Sequence, residues 1–173
     1  MAKTFKLNKA MQSKDLKTAA LAYAEFGLPV LPIYGVDEDG ECLCGKRDCD
    51  TIGKHPIISG GFKNATSDIE KVEEWWDEHP QANIGSPLVQ GLYVLDFDGK
   101  KGQESFEELG LEGFETLRAK SGKGFHLYTH SNLKVRNGAM SGLDIRGGGE
   151  GGYIIMPPSR HASGKLYKWE IKK

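Results

Sequence analysis

Three short stretches of this chain, LYVLDFDG at residues 92–99, GFHLYTH at 124–130 and GLDIRG at 142–147, alternate their side chains with a period of two. That period belongs to β-strands, in which successive side chains point to opposite faces. In the first stretch Tyr93, Leu95 and Phe97 share one face, expected to pack under helices, and Val94, Asp96 and Asp98 share the other. In the second, Phe125, Leu127 and Thr129 oppose His126, Tyr128 and His130; in the third, Leu143 and Ile145 oppose Asp144 and Arg146. A sheet is required, and if the three strands are neighbours, one of its faces collects Asp96, Asp98, Asp144, His126 and Arg146.

The remaining pattern places helices beside that sheet. Ser13 is positioned to cap a helix whose apolar positions Leu16, Ala19, Ala20, Tyr23 and Phe26 follow a three-to-four-residue spacing, and Gly27 stops it. A second helix starts at Thr66 or Ser67, with Glu70 completing a capping box, carries Ile69, Val72, Trp75 and Trp76, and ends at Pro80. Of the two tryptophans, one is expected in the core and the other at its rim. A third helix is predicted over Gln103–Leu109. Besides PVLPIY, strands are predicted at 83–85, 91–97, 116–120, 124–129, 143–146, 153–156 and 165–171. The fold class is therefore α+β, a mostly antiparallel sheet with flanking helices. A chain of 173 residues with 38% hydrophobic side chains can bury a real core, and residues 1–173 are read as one domain.

Charge divides the chain. Residues 1–117 hold 12 Lys and Arg against 21 Asp and Glu, net −9, whereas residues 118–173 hold 11 against 3, net +8. A basic final third suits a polyanionic ligand, although it also offsets the acidic part. No apolar run approaches the length of a membrane span and no leader pattern stands at the front, so the expected setting is cytoplasmic, with no membrane partner.

Two carboxylates on one strand face repel each other, and a divalent metal is the simplest group that makes them favourable together. Taken alone, Asp98-Gly99 also reads as a turn after a strand. With Asp144 the set suits two Mg2+ or Mn2+ ions, which prefer oxygen ligands and assist phosphoryl or nucleotidyl transfer. His126, Arg146 and Lys123 supply positive charge for phosphates. The bend Ser121–Gly124 resembles a phosphate nest but lacks the spacing of an ATPase loop. In PPSRH, Ser159 and Arg160 read equally as sugar or triphosphate contacts and as a solvated loop. Tyr167 and Trp169 read as sheet packing, and the glycines of GGGEGG as room for a close backbone approach or a hairpin.

The segment ECLCGKRDCDTIGKHP places Cys42, Cys44, Cys49 and His55 within fourteen positions. Three sulfurs and one nitrogen are a soft set suited to one tetrahedral, structural Zn2+, although the C-x-C spacing is tighter than that of a typical finger. His55, or Lys54 beside it, also competes for a place on the rim of the acidic site. A metal-dependent nuclease would use a similar set of acids, histidine and basic residues, and a noncatalytic zinc-containing DNA-binding module would explain the cysteines and the basic tail.

The order of the motifs carries more than any one of them. AYAEFGLPVLPI, GKHP, the ATSD helix start with WW, ANIG, VLDFDG, SGKGFHLY, GLDIRGGGEGGYIIMPPS and YKWE together closely resemble the primase-polymerase domain of plasmid and phage replication proteins, a branch of the archaeo-eukaryotic primase superfamily. The resemblance covers nearly the whole chain and favours synthesis over cleavage. It implies an RRM-like catalytic core of primase type with residues 37–56 as a small zinc-binding insertion. It implies Asp96 and Asp98 as the catalytic acidic pair, Asp144 as the third metal carboxylate and His126 as the residue on the incoming nucleotide's phosphates, with Arg146 beside Asp144. Implied partners are single-stranded DNA template, primer-template DNA and (d)NTPs, with a helicase often carried by relatives; a monomeric domain is expected.

Overall fold

The computed structural model describes residues 8, 11–131, 140–148 and 152–170 of the chain. Helix α1 (Leu16–Phe26) is alanine-rich, which costs little side-chain entropy, and buries Ala19, Ala20, Ala22, Tyr23 and Ala24. Its cap is Asp15 rather than Ser13: the Asp15 carboxylate accepts from the Thr18 amide at 2.7 Å, while Ser13 accepts from the amide of Asp15 itself. Gly27 closes the helix at φ +99°, a left-handed value that favours glycine. Helix α2 (Ile69–Glu78) is likewise capped by an aspartate, Asp68, which accepts from the amides of Glu70 and Lys71, not by a Ser67–Glu70 box. A carboxylate satisfies two orphan amides there and also complements the helix dipole. Both Trp75 and Trp76 are buried against α1, Trp76 donating its indole N–H to the Ala82 carbonyl at 3.0 Å.

Among the described residues there are two sheets instead of one, with antiparallel pairing throughout. Strands β1 (Leu31–Ile33), β2 (Asn83–Ser86) and β7 (Ile154–Met156) form the first, in the order β1-β2-β7. Strands β3 (Leu92–Asp98), β4 (Arg118–Lys120), β5 (Gly124–His130), β6 (Leu143–Gly147) and β8 (Lys168–Glu170) form the second, in the order β6-β3-β5-β4-β8. Strand β2 is buried along its whole length, so it serves as the centre of its own sheet rather than an edge of the larger one.

Helix α3 (Gly99–Glu108) begins four residues earlier than the sequence pattern suggests. Gly99, at φ +64°, turns the chain directly out of β3, and a Cβ on Gly102 would lie 2.7 Å from the Phe97 backbone, so only glycine lets the first turn sit this close to the sheet. Phe106 of α3 meets Phe97 and Phe125 edge-on, closing the face that also carries Leu127 and Leu143. The opposite face is covered too: Val94, Ala119 and Tyr128 join the main core beneath α1 and α2. Helices thus shield both faces of the large sheet, and exposure on the second grows along β3, from Val94 (buried) through Asp96 (partly buried) to Asp98 (exposed). That end of the sheet opens the cleft described next. No helix among the described residues is long and apolar enough to cross a membrane.

Candidate active site and metal centre

Strand register assembles the acidic site. Asp96 is paired with His126 on β5 and with Asp144 on β6, so three polar residues lie abreast on one face, with Asp98 one step further toward solvent and opposite Gly124. His126 Nε2 lies 3.3 Å from Asp96 Oδ1. The imidazole is the floor of the site, only 2% exposed, and neither its Nδ1 nor Asp96 Oδ1 has a hydrogen-bond partner despite being buried. A buried carboxylate oxygen left in this state costs stability unless a ligand completes it. Asp98, though exposed at the end of β3, is partly desolvated by the protein around it: that desolvation first, and the charge of Asp96 second, raise its pKa, while Lys54, His126 and Lys123 pull the other way. An oxygen-rich set of mutually repelling acids, one of whose buried oxygens makes no hydrogen bond, fits a divalent cation. Arg146 occupies the far side, its Nη2 2.6 Å from Asp144 Oδ2.

The bend Ser121–Gly124 is closed on itself, with Ser121 Oγ accepting from the Gly124 amide and the Ser121 amide donating to the Gly124 carbonyl, both at 2.9 Å. Lys123 is exposed on its crest, and its carbonyl accepts from the amide of Gly99, immediately after Asp98. Gly122 has no room for a side chain: a Cβ would fall 2.0 Å from the ring of His161. His161 is the residue the sequence reading missed. It ends the PPSRH loop, packs edge-on to Tyr167 (6.0 Å between centroids), which in turn faces His126 (5.6 Å), and is held in place by Ser163, whose amide donates to Nδ1 at 3.0 Å. Burial above all, then the charges of Lys54, Lys123 and Lys165, lower its pKa, and Asp96 acts in the opposite sense. The signal for it is a histidine beside the two residues of the same loop that were noticed.

Those two residues sit elsewhere. Ser159 is fully buried, its Oγ accepting from the Ile84 amide at 2.8 Å, so neither a sugar or phosphate contact nor a solvated loop, the two readings of PPSRH, fits its position. Arg160 lines a cavity of about 430 Å3 together with Lys14, Asp37, Glu38 and Asn83, and none of the three acids of the cleft reaches it. Gly147 and Gly148 face protein, their missing Cβ atoms within 2.7 Å of Leu88 and the Tyr93 ring, so they permit packing inside the fold; residues 149–151 of the same glycine run lie outside the described residues. Tyr167 and Trp169 are packing residues, the latter donating to Tyr23 Oη at 2.8 Å.

The second centre is local. Ligand atoms of Cys42, Cys44, Cys49 and His55 all lie within 4.8 Å of one another, with Cys49 Sγ 3.8 Å from His55 Nδ1. The Lys46 amide, and then the neighbouring Cys42, Cys49 and His55, bring the Cys44 thiol down to about 7, whereas burial pushes that of Cys42 up. Three sulfurs and an imidazole at this spacing form a Cys3His metal-binding cluster, whose donors fit a structural metal of the zinc type.

A search among curated proteins returned no match to this chain. The profile of the Prim-Pol family, described as bifunctional DNA primase/polymerase, N-terminal, matches residues 20–173, which takes in both centres and every strand, so the chain belongs to the Prim-Pol family.

Proposed function

We propose that this chain is a template-directed DNA primase/polymerase that transfers nucleotides from (d)NTPs to a 3′-hydroxyl and starts strands without a primer. Family membership supports nucleotidyl transfer in general terms. The single observation that carries the finer reading is the placement of Asp96 in register between His126 and Asp144 at the open end of the sheet. In this reading the five-stranded sheet is an RRM-like core of primase type, and residues 1–173 act as one catalytic domain with 37–56 inserted.

Asp96, Asp98 and Asp144 would hold two magnesium or manganese ions. The chemistry such ions supply is Lewis-acid activation of the attacking hydroxyl and neutralisation of the departing pyrophosphate. The protein's own groups do the rest. His126, fixed by burial, offers its imidazole to the phosphates; Lys123 on the bend and Arg146 across the cleft supply charge for the transferred and leaving groups. Arg146 neutralises Asp144 in the resting protein, so filling the site exchanges that pair for ion and phosphate contacts. The partners implied are single-stranded template, primer-template DNA and nucleotides, with a helicase as a further associate.

The test is product length. With labelled primer-template, magnesium or manganese and nucleotides, the primer should lengthen; on unprimed single strands, short products with a 5′-triphosphate should appear, and the reaction should weaken as salt rises. Shortening of the DNA without added nucleotide would identify a nuclease instead, and metal-independent DNA binding with no change in length would identify a noncatalytic module. Extension without primer-free products would keep the polymerase and remove initiation.

A further inference from the structure

Two turns meet beside the acidic cleft, and together they hold two lysines and no acid. The first is the bend SGKG at residues 121–124; the second is HASGK at 161–165, closed where the His161 amide donates to the Lys165 carbonyl at 2.8 Å and the Gly164 amide to the His161 carbonyl at 2.9 Å. Lys123 and Lys165 are both exposed. The turns touch through Gly122 and His161. A Cβ on Gly122 would fall 2.0 Å from Nδ1 and 2.1 Å from Cγ of the imidazole, so the ring occupies the space that a side chain on the bend would take. The bend is tied in turn to the end of β3: the Gly99 amide donates to the Lys123 carbonyl at 3.2 Å, and Gly124 is in register with Asp98. On its other side the ring meets Tyr167, 6.0 Å between centroids, and Tyr167 lies 5.6 Å from His126. Two separate runs of contact therefore place His161 at the cleft, one from Asp98 through the bend and one from His126 through Tyr167.

The ring's own hydrogen bonds decide which nitrogen carries its proton. An amide can only donate, and the Ser163 amide donates to Nδ1 at 3.0 Å, with Ser163 Oγ 2.9 Å from the same atom. Nδ1 is therefore the acceptor, and the proton of the neutral ring sits on Nε2. That N–H has no hydrogen-bond partner among the described residues, although His161 is only 7% exposed. A largely buried donor, held in one orientation with nothing to receive its proton, is half of a binding contact. The other half must be an acceptor, and a site flanked by two lysine-bearing turns without an acid suits an anionic one.

We propose that His161 is a further binding residue for the incoming nucleotide, its Nε2–H donating to an oxygen of the β- or γ-phosphate from a wall built of the 121–124 and 161–165 turns. This rests on the nucleotidyl-transfer reading above. In that reading the reacting α-phosphate belongs with the acids; the bend lies past Asp98, and His161 past the bend, so the distal phosphates are the ones within its reach. Lys123 brings charge to this wall, and His161 brings a fixed, uncharged donor that selects position.

The experiment is primer extension, read as KM and kcat for a deoxynucleoside triphosphate, with competitive inhibition by the matching deoxynucleoside monophosphate as the control ligand and thermal unfolding as the control for fold. His161→Asn keeps an acceptor for the Ser163 amide and gives up the Nε2–H. Its KM should rise about 10-fold, the scale of one hydrogen bond to a charged group, with kcat changed far less. Inhibition by the monophosphate, which lacks the distal phosphates, should be unchanged. His161→Gln, whose amide N–H reaches about as far as Nε2, should recover most of the loss. Gly122→Ala sets a methyl on the imidazole and should show the same selective loss; combined with His161→Ala, which vacates that space, it should cost no more than His161→Ala alone. Equal losses for the triphosphate and the monophosphate, as a merely structural brace would give, or an unchanged KM in both His161→Asn and Gly122→Ala, would overturn the proposal. Should the His161 variants fail to fold, the Nε2 proton of the wild type, followed by NMR of histidine-labelled protein in magnesium, replaces them. It should shift and exchange more slowly on addition of the triphosphate and not of the monophosphate, and no response, or the same response to both, counts against the contact. If the wild type extends a primer and these outcomes fail, the role of His161 alone is lost; if the wild type extends no primer, both readings fall.

Discussion

The two centres gather their ligands in opposite ways. The Cys3His cluster draws four donors from fourteen consecutive positions and is held by its own turns, whereas the acidic cleft draws Asp96, Asp98, His126 and Asp144 from three strands spread over 49 positions and exists only when β3 lies between β5 and β6. The first can assemble on a short loop once its metal is present; the second depends on the whole sheet. A lesion in the cleft should therefore remove chemistry and spare the fold, and a lesion in the cluster should loosen one segment and reach the chemistry only indirectly.

The largest effect expected is at β3. Asp96→Ala removes the buried oxygen that faces His126 without a hydrogen bond, and Asp98→Ala removes its companion. Losing a group that places charge for in-line transfer is worth several kcal/mol, so nucleotide incorporation should fall by about 10³-fold or more, with the thermal unfolding transition retained. Incorporation near the wild-type rate by both purified variants would remove the acids from the mechanism.

This contrast also marks what the sequence makes legible. A two-residue period is written into LYVLDFD, GFHLYTH and LDIRG, so the shared face of Asp96, His126 and Asp144 follows once the strands are neighbours, and the cysteine spacing needs no fold at all. Caps were misjudged by one or two residues because Ser13, Asp15, Ser67 and Asp68 are all acceptable capping residues, and only the path of the chain chooses among them. Contacts between distant segments were invisible. Asn83 meets Arg160 across 77 positions, His161 packs on Gly122 from a loop on the far side of three strands in sequence, and the Ser159 hydroxyl turns inward to accept from the Ile84 amide. Nothing in ANIG or PPSRH announces those partners.

Next in size is the floor of the cleft. Replacing His126 with Asn keeps a polar group while withdrawing the imidazole, and the KM for nucleotide should rise about 10- to 100-fold, the span of one hydrogen bond to a charged group. Single-stranded DNA affinity should stay close to that of the wild type. An equal loss of both would place His126 on the template rather than the nucleotide.

The cluster should respond more locally. Cys49→Ser should abolish the stoichiometric metal, about one per chain in the wild type, and hydrogen exchange should show protection lost around residues 35–56 and kept along β3 and β5. Uniform loss of protection through the large sheet would mean that the cluster supports the entire fold, and the contrast between the centres would disappear.

The smallest effect is on stability, and its sign separates the cleft from an ordinary salt-bridged surface. Asp98 has its pKa raised above the ordinary 3.8 by partial desolvation and by Asp96. The folded protein therefore holds this proton more firmly than the unfolded chain, and the associated stability is full below the unfolded pKa and fades as pH rises through the folded one. At neutral pH the ionised carboxylate is a net cost, so Asp98→Asn should raise stability even as it removes activity. Solvent at the end of β3 screens the charge, which keeps the gain below about 1 kcal/mol, or one to a few degrees in Tm for a chain of this length. Magnesium or manganese should narrow the difference, because only the wild type gains from binding cations at full strength. A variant less stable than the wild type at neutral pH in the absence of divalent metal, or a gap that widens when metal is added, would show that Asp98 is held by favourable partners and that the cleft carries no stored repulsion for an ion to relieve.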